Sequence, residues 1–300
     1  MKILLAVDGS SYSMGAARFL TLLDLSPDDE ITVFYALHSG HFLFSEKSYR
    51  AVINELKKIS VPGILDSALE VLKPVKARVS TAVAEGPVKE TIMKKAAEAR
   101  MDLIIMGAKG VTGVESLFLG SVTRAVAAKS TVSVLVTKLP LNTRPGGMKI
   151  LFATDGSEYS ISTQEVLASM PFPGGSEIAV LNVTQTIFSD MYIHPALSPQ
   201  TNEDFIEIIE KARASGRMES GRIIEQARDY LGHRFGNVTV LSAEGDPSSV
   251  ILDTAEGMKA DLIAVGCRGL TGISGMIGSV SRTVLSDSKS SVLIGKMCGD

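Results

Sequence analysis

The sequence predicts an α/β fold built twice, as two tandem open parallel sheets with helices on both faces of each. Three observations carry this. The chain repeats itself at domain length, short apolar runs without polar alternation recur in both copies, and helical faces lie between those runs.

The repeat comes first. Met1-Lys-Ile-Leu-Leu-Ala-Val-Asp-Gly-Ser-Ser-Tyr-Ser13 returns 147 positions later as Met148-Lys-Ile-Leu-Phe-Ala-Thr-Asp-Gly-Ser-Glu-Tyr-Ser160. Asp102-Leu-Ile-Ile-Met-Gly-Ala-Lys-Gly-Val-Thr-Gly113 returns 159 positions later as Asp261-Leu-Ile-Ala-Val-Gly-Cys-Arg-Gly-Leu-Thr-Gly272, so the second copy carries extra length between the two blocks. A unit of ~150 residues is a duplicated domain and not a solenoid element. The expected organisation is a first domain over 1–140, a linker over 141–147 and a second domain over 148–300. The prolines and glycines of Leu139-Pro-Leu-Asn-Thr-Arg-Pro-Gly-Gly147 mark the joint.

In the first copy, the strand candidates are Ile3–Val7, Ile31–Leu37, Val75–Val83, Leu103–Met106 and Val132–Val136. A helix is expected over Ser11–Leu23, and another over Pro87–Arg100, where proline opens the first turn and Val88, Ile92, Ala96 and Ala99 share a face. The second copy offers Ile150–Ala153, Ile178–Val183, Val238–Leu241, Leu262–Val265 and Val292–Ile294 as strands. Its added length falls in Thr184–Arg234, where Phe205, Ile208, Ile209 and Ala212, then Ile223, Ile224, Ala227 and Leu231, mark helical faces; Gly216 and Gly221 are expected to weaken or bend that stretch. Strands such as Leu103-Ile104-Ile105-Met106 read as buried on both sides, and in such sheets ligands settle beyond the carboxyl ends of the strands.

Composition excludes several classes. The 300 residues are 45% hydrophobic and 21% charged, as in a soluble globular protein. A net charge of -3, scattered Lys and Arg, and no tryptophan argue against a nucleic-acid partner. The apolar run before Asp8 is too short for a secretory leader, and Ile31–Ser45, free of charged residues, is too short to cross a bilayer as a helix. Two cysteines, Cys267 and Cys298, make no disulfide framework, so a cytoplasmic location is expected.

Two motifs sit at strand carboxyl ends in both copies. In Asp8-Gly9-Ser10 and Asp155-Gly156-Ser157, glycine permits a tight turn and serine suits a helix cap; a purely structural role is open for both. In Gly107-Ala-Lys-Gly110, separated by nine residues from Gly120-Ser121, the glycines let the backbone approach a ligand, and the helix start offers unpaired N–H groups to a phosphate. Lys109 and Arg268 hold equivalent places in the two turns, either facing phosphate or as solvated cations.

The Asp-Gly-Ser opening and the G-x2-G-x9-G-S pattern resemble the nucleotide-binding branch of the universal stress protein family, over nearly the whole chain and twice. The resemblance implies a Rossmann-like, adenine nucleotide alpha hydrolase-like five-stranded sheet in each half, with ATP or another adenine nucleotide as ligand, with or without Mg. It implies Asp8 near the adenine and ribose, Leu37 beside the base, Gly107 at the ribose, and Gly110, Gly120, Ser121 and Val122 at the phosphates. The matching second set is Asp155, Val183, Gly266, Gly269, Gly278, Ser279 and Val280. It also implies pairing of the two last strands within the chain, with a further homodimer left open.

The second copy has only eight residues between Gly269 and Gly278, which is expected to displace the phosphate donors by about one residue's reach, roughly 3 Å. His38 and His41 have no acidic or thiol company, so a surface loop and not a metal site is expected. Cys267 reads as a small turn residue. No P-loop, dinucleotide fingerprint or duplicated histidine base is present, so no catalytic residue is assigned. The reading is a nucleotide-responsive stress-response module in which ligand orders Val111–Leu119 for an unidentified protein partner. A nucleotide-independent scaffold and a slow ATPase are the alternatives.

Overall fold

The computed structural model describes residues 1–38, 46–110, 119–141, 147–185, 203–269 and 277–297. The first half runs β1 (Lys2–Ala6), α1 (Ser11–Leu20), β2 (Glu30–His38), α2 (Glu46–Leu72), β3 (Arg78–Gly86), α3 (Val88–Glu98), β4 (Leu103–Gly107), α4 (Ser121–Lys129) and β5 (Ser133–Thr137). The second runs β6 (Lys149–Ala153), α5 (Glu158–Ser169), β7 (Glu177–Thr184), α6 (Glu203–Gly232), β8 (Val238–Glu244), α7 (Pro247–Met258), β9 (Leu262–Gly266), α8 (Ser279–Asp287) and β10 (Ser291–Gly295).

Several elements depart from the sequence expectations. Helix α1 stops at Leu20, because Thr21, Leu22 and Leu23 donate to carbonyls three residues back and tighten into a turn. Strand β3 begins at Arg78 and not at Val75, because the Val75 N–H closes onto Leu72 O at the end of α2. Helix α2 is not among the expectations: Pro62 interrupts the pattern, yet Val61, Ala68 and Leu72 are buried on its inner face. Conversely, α6 runs unbroken through Gly216 and Gly221.

All ten strands join one sheet, ordered β3-β2-β1-β4-β5-β10-β9-β6-β7-β8. Every neighbouring pair is parallel except β5 with β10, which meet antiparallel with Val136 opposite Val292, Leu135 opposite Leu293 and Val134 opposite Ile294. These six side chains are fully buried. Each is worth about 1.5–3 kcal/mol relative to exposure, so the two five-stranded units share a continuous interior. Joining them also removes two exposed sheet edges.

One core layer holds α1, α2, α5 and α6 against the sheet, through residues such as Phe19, Leu72, Leu167 and Leu231. The other holds α3, α4, α7 and α8, through Ile92, Val126, Ile251 and Val284. Both layers cross from one half into the other. No helix among the described residues is long and apolar enough to cross a membrane.

Candidate functional site

In each half the strand order reverses at the same place. Strand β1 lies between β2 and β4, and β6 between β7 and β9, all parallel. The chain leaves β1 into α1 on one face and enters β4 from α3 on the other, which opens a crevice at their carboxyl ends. Both sequence motifs sit there.

In the first half, Gly9 adopts φ +83°, a left-handed turn that sends the chain from β1 into α1. The Ser10 N–H donates to Asp8 Oδ1 at 3.0 Å, and Ser10 Oγ accepts from the Ser13 N–H at 3.1 Å, so this serine is a helix cap. Asp8 reaches the second motif: a Cβ added to Gly110 would lie 2.6 Å from Asp8 Oδ2. The Gly120 N–H donates to Ala108 O at 2.8 Å and Thr123 Oγ1 to Gly107 O at 2.9 Å, which fixes the start of α4 over the turn. No side chain caps α4, and Ser121 is exposed at its first turn. Asp8, Gly107, Gly110, Gly120, Ser121 and Val122 therefore gather at one crevice.

The second half repeats this arrangement. The Ser157 N–H donates to Asp155 Oδ1 at 3.0 Å, and a Cβ on Gly269 would lie 2.6 Å from Asp155 Oδ2. The Gly278 N–H donates to Cys267 O at 2.8 Å and Ser281 Oγ to Gly266 O at 2.6 Å. The shorter connection thus leaves the anchor of α8 where its counterpart is, against the expected displacement of about 3 Å. The length difference is taken up between these anchors, where 111–118 and 270–276 lie outside the described residues.

A cavity of about 530 Å³ opens here, and Asp155, Val183, Gly266, Gly269, Gly278, Ser279 and Val280 all line it. Arg268 and Arg282 bring positive charge to its wall. Arg268 lies 4.9 Å from the centre of the Tyr159 ring and donates to its hydroxyl at 2.5 Å. Lys109 stands 5.5 Å over the Tyr12 ring in the same way. Helix α8, like α4, has no side-chain cap and no acidic residue in its first turn, so its N-terminal dipole is offered uncompensated to the cavity.

One expected correspondence is corrected, and the glycines at the ends of β4 and β9 carry a packing constraint as well. Leu37 is not the counterpart of Val183: Ile31 pairs with Ile3 as Ile178 pairs with Ile150, and counting onward makes Ala36 the equivalent of Val183. Ala36 and Val183 belong to the core layer of α3, α4, α7 and α8, whereas Val33 and Tyr35 face the other layer; alternation puts Leu37 with the latter. For Gly107, the missing side chain serves packing, since a Cβ would lie 2.6 Å from the Tyr12 carbonyl carbon at the start of α1. Gly266 is similar, with Tyr159 C and Ser160 N each 3.0 Å away.

Several cavity residues escaped the sequence reading. Pro247 and Ile251 arrive from α7, far along the chain, and only the fold brings them in. Arg282 left a signal: it stands three residues after Ser279, as Arg124 stands after Ser121. Each donates back to the residue before the helix cap, Arg282 to Ile277 O at 3.3 Å and Arg124 to Leu119 O at 3.5 Å. Gln185, in the place of His38, lines the cavity, while His38 is exposed at the end of β2; His41, Phe188 and Cys298 lie outside the described residues. Among the described residues no group of three or more His, Cys, Asp or Glu is placed to hold a metal.

The fold and crevice define a class: a tandem of Rossmann-like α/β units, each with a helix start that no side chain caps at its strand switch. The Universal stress protein family matches residues 1–138 and again 148–296. The chain belongs to that family, in a two-unit form. One relative is the universal stress protein MJ0531 of Methanocaldococcus jannaschii, 31% identical over 141 residues, which are 46% of this chain and 82% of that protein. Another is the universal stress protein YxiE of Bacillus subtilis, 29% identical over 154 residues, 49% of this chain and 97% of that one. The crystal structure of a universal stress protein from Archaeoglobus fulgidus matches 98% of this chain and 96% of its own, with a TM-score of 0.66 and 20% identity, which shows a shared fold.

Proposed function

We propose that the protein binds an adenine nucleotide at the strand switch of each half and acts as a nucleotide-responsive stress-response module. One observation carries this reading. An uncapped helix start (Gly278–Val280), two guanidinium groups (Arg268 and Arg282) and the Asp155 carboxylate converge on one cavity of about 530 Å³. Phosphate is suited to the first two and a ribose hydroxyl to the third. The volume lies within the ordinary range for small-ligand sites, ~300–1,000 Å³. Val183 and Ile251 offer an apolar wall for a base. In the first half, Asp8, Gly110, Gly120, Ser121 and Val122 would take the same parts, with Ala36 in the place of Val183.

The test is to purify the protein without added nucleotide, denature it and identify what is released, followed by titration with ATP. Two equivalents of adenine nucleotide per chain support two working sites, and one equivalent supports a single site. Neither release nor binding on titration would replace this reading with that of a nucleotide-independent interaction protein.

A further inference from the structure

The antiparallel seam has a consequence for the helices on either side of it. Because β5 and β10 run in opposite directions, the end of each lies beside the beginning of the other. Immediately before each beginning stands the C-terminus of α8 or α4. The residue that follows each strand is a lysine, Lys138 after β5 and Lys296 after β10.

Each lysine crosses to the other half. Lys138 Nζ donates to Ser286 O at 3.2 Å and to Ser288 O at 2.8 Å, the last carbonyls of α8. Lys296 Nζ donates to Ala128 O at 3.1 Å, in the last turn of α4, and is 6% exposed. The backbone is exchanged symmetrically: the Lys138 N–H donates to Ser291 Oγ at 3.2 Å, and the Lys296 N–H to Ser133 Oγ at 3.0 Å. Helix C-termini leave carbonyls without partners and carry partial negative charge, so a cation there satisfies both needs.

We propose that Lys138 and Lys296 are crossed positioning residues, each from one half holding the helix whose N-terminus forms the phosphate end of the other half's site. This rests on the nucleotide reading above for the ligand, and on geometry alone for the crossing. Helices α4 and α8 are nine residues each, with the ligand end and the lysine end about two and a half turns apart. Neither has a side-chain cap at its ligand end. The lysine is therefore the polar side-chain anchor from across the seam, set at the opposite end from the ligand.

The two arms are unequal. Helix α8 has no basic residue in its last turn and ends at Asp287, an anion at the unfavourable pole, whereas α4 carries Lys129 in its own last turn. Lys138 also makes two carbonyl contacts. Lys296 makes one and shares its ammonium with Cys267 Sγ at 2.9 Å, where the first half has Ala108. The effect of Lys138 on the second site should exceed that of Lys296 on the first.

Hydrogen exchange on the full chain, read peptide by peptide with and without ATP, tests this. Lys138→Met should speed exchange in the last turn of α8 and raise the ATP concentration that half-protects the start of α8 by about two- to fivefold, leaving α4 unchanged. Lys296→Met should do the reverse, with a smaller shift. Lys138→Arg and Lys296→Arg should restore much of the loss. The Lys→Gln pair is measured alongside, so that a Met variant that fails to fold still leaves an answer.

Effects confined to the lysine's own half, equal effects on both helices, or no effect would overturn the proposal. If wild type shows no ATP-dependent protection at either helix, the nucleotide reading fails. Exchange in the nucleotide-free variants then still decides whether the lysines act across the seam.

Discussion

The Asp155 carboxylate, more than a hundred residues away in the chain, occupies the space into which a side chain at Gly269 would point. A single added Cβ would stand 2.6 Å from Asp155 Oδ2, and the same distance separates Asp8 Oδ2 from a Cβ on Gly110. The close approach sets the turn after β6 against the turn after β9, so carboxylate and glycine turn form one surface.

Gly269→Ala should therefore act on ligand more than on fold. The obstructing atom is the end of a side chain that can rotate, so unfolding in urea should show a loss of about 1 kcal/mol or less. The displaced Asp155 should weaken adenine nucleotide binding at the second site several-fold by calorimetry. Unchanged affinity would mean that the carboxylate does not touch the ligand.

Gly107→Ala should show the opposite balance. Its Cβ would meet Tyr12 backbone atoms at 2.6 and 2.7 Å, which only a shift of α1 relieves. A cost of about 1–3 kcal/mol is expected from overpacking. Gly266→Ala, with its nearest atoms at 3.0 Å, should cost less. Denaturant midpoints in the reverse order would refute this account.

Lys138 should leave a mark on the pH dependence of stability. Burial pushes its ammonium down to about 8, against the upward pull of Asp287 and with a smaller downward push from Lys109. The unfolded lysine keeps its proton up to its ordinary value near 10.5. Between those values the unfolded chain binds more protons than the folded one, so this group makes stability rise with pH across that window. Lys138→Met should remove that rise in urea titrations, and equal slopes in both proteins would count against it.

Asp246 gives the same sign in an acidic window, since its carboxyl is also depressed in the folded chain and its contribution is lost as pH falls. Its Oδ1 accepts from the Ser249 N–H at 2.9 Å and the Ser249 hydroxyl at 2.8 Å, capping α7. The backbone bond first, then the hydroxyl, holds its carboxyl below the usual range. Asp246→Ala should cost about 0.5–2 kcal/mol near neutrality. The difference from wild type should shrink as pH falls through the lowered pKa, because protonation weakens the acceptor by removing its charge, while the neutral carboxyl can still accept.

Much of this was legible in the residues. Runs such as Ile3-Leu4-Leu5 and Leu103-Ile104-Ile105 report double-sided burial directly, since apolar side chains on both faces of a strand leave it no solvent face. The Asp-Gly-Ser and glycine motifs were found because they occur twice. Helix α2 was not legible, since Pro62 carries the same letter whether it ends a helix or sits inside one. The counterpart of Val183 is not legible either: Ala36 and Leu37 are both apolar, and only the pairing of Ile3 with Ile31 assigns them to opposite faces.

By itself, then, the sequence determined the strands and most of the helices, their duplication and the two turns at strand ends, because turn chemistry and apolar period are local properties. Tertiary structure alone decided what lies across space. It placed Asp155 against Gly269, made Gly107 a packing residue of α1, brought α7 to the cavity wall, and set each lysine on the other half's helix. Those relationships depend on strand order and on the antiparallel meeting of β5 and β10, which no short stretch of residues encodes.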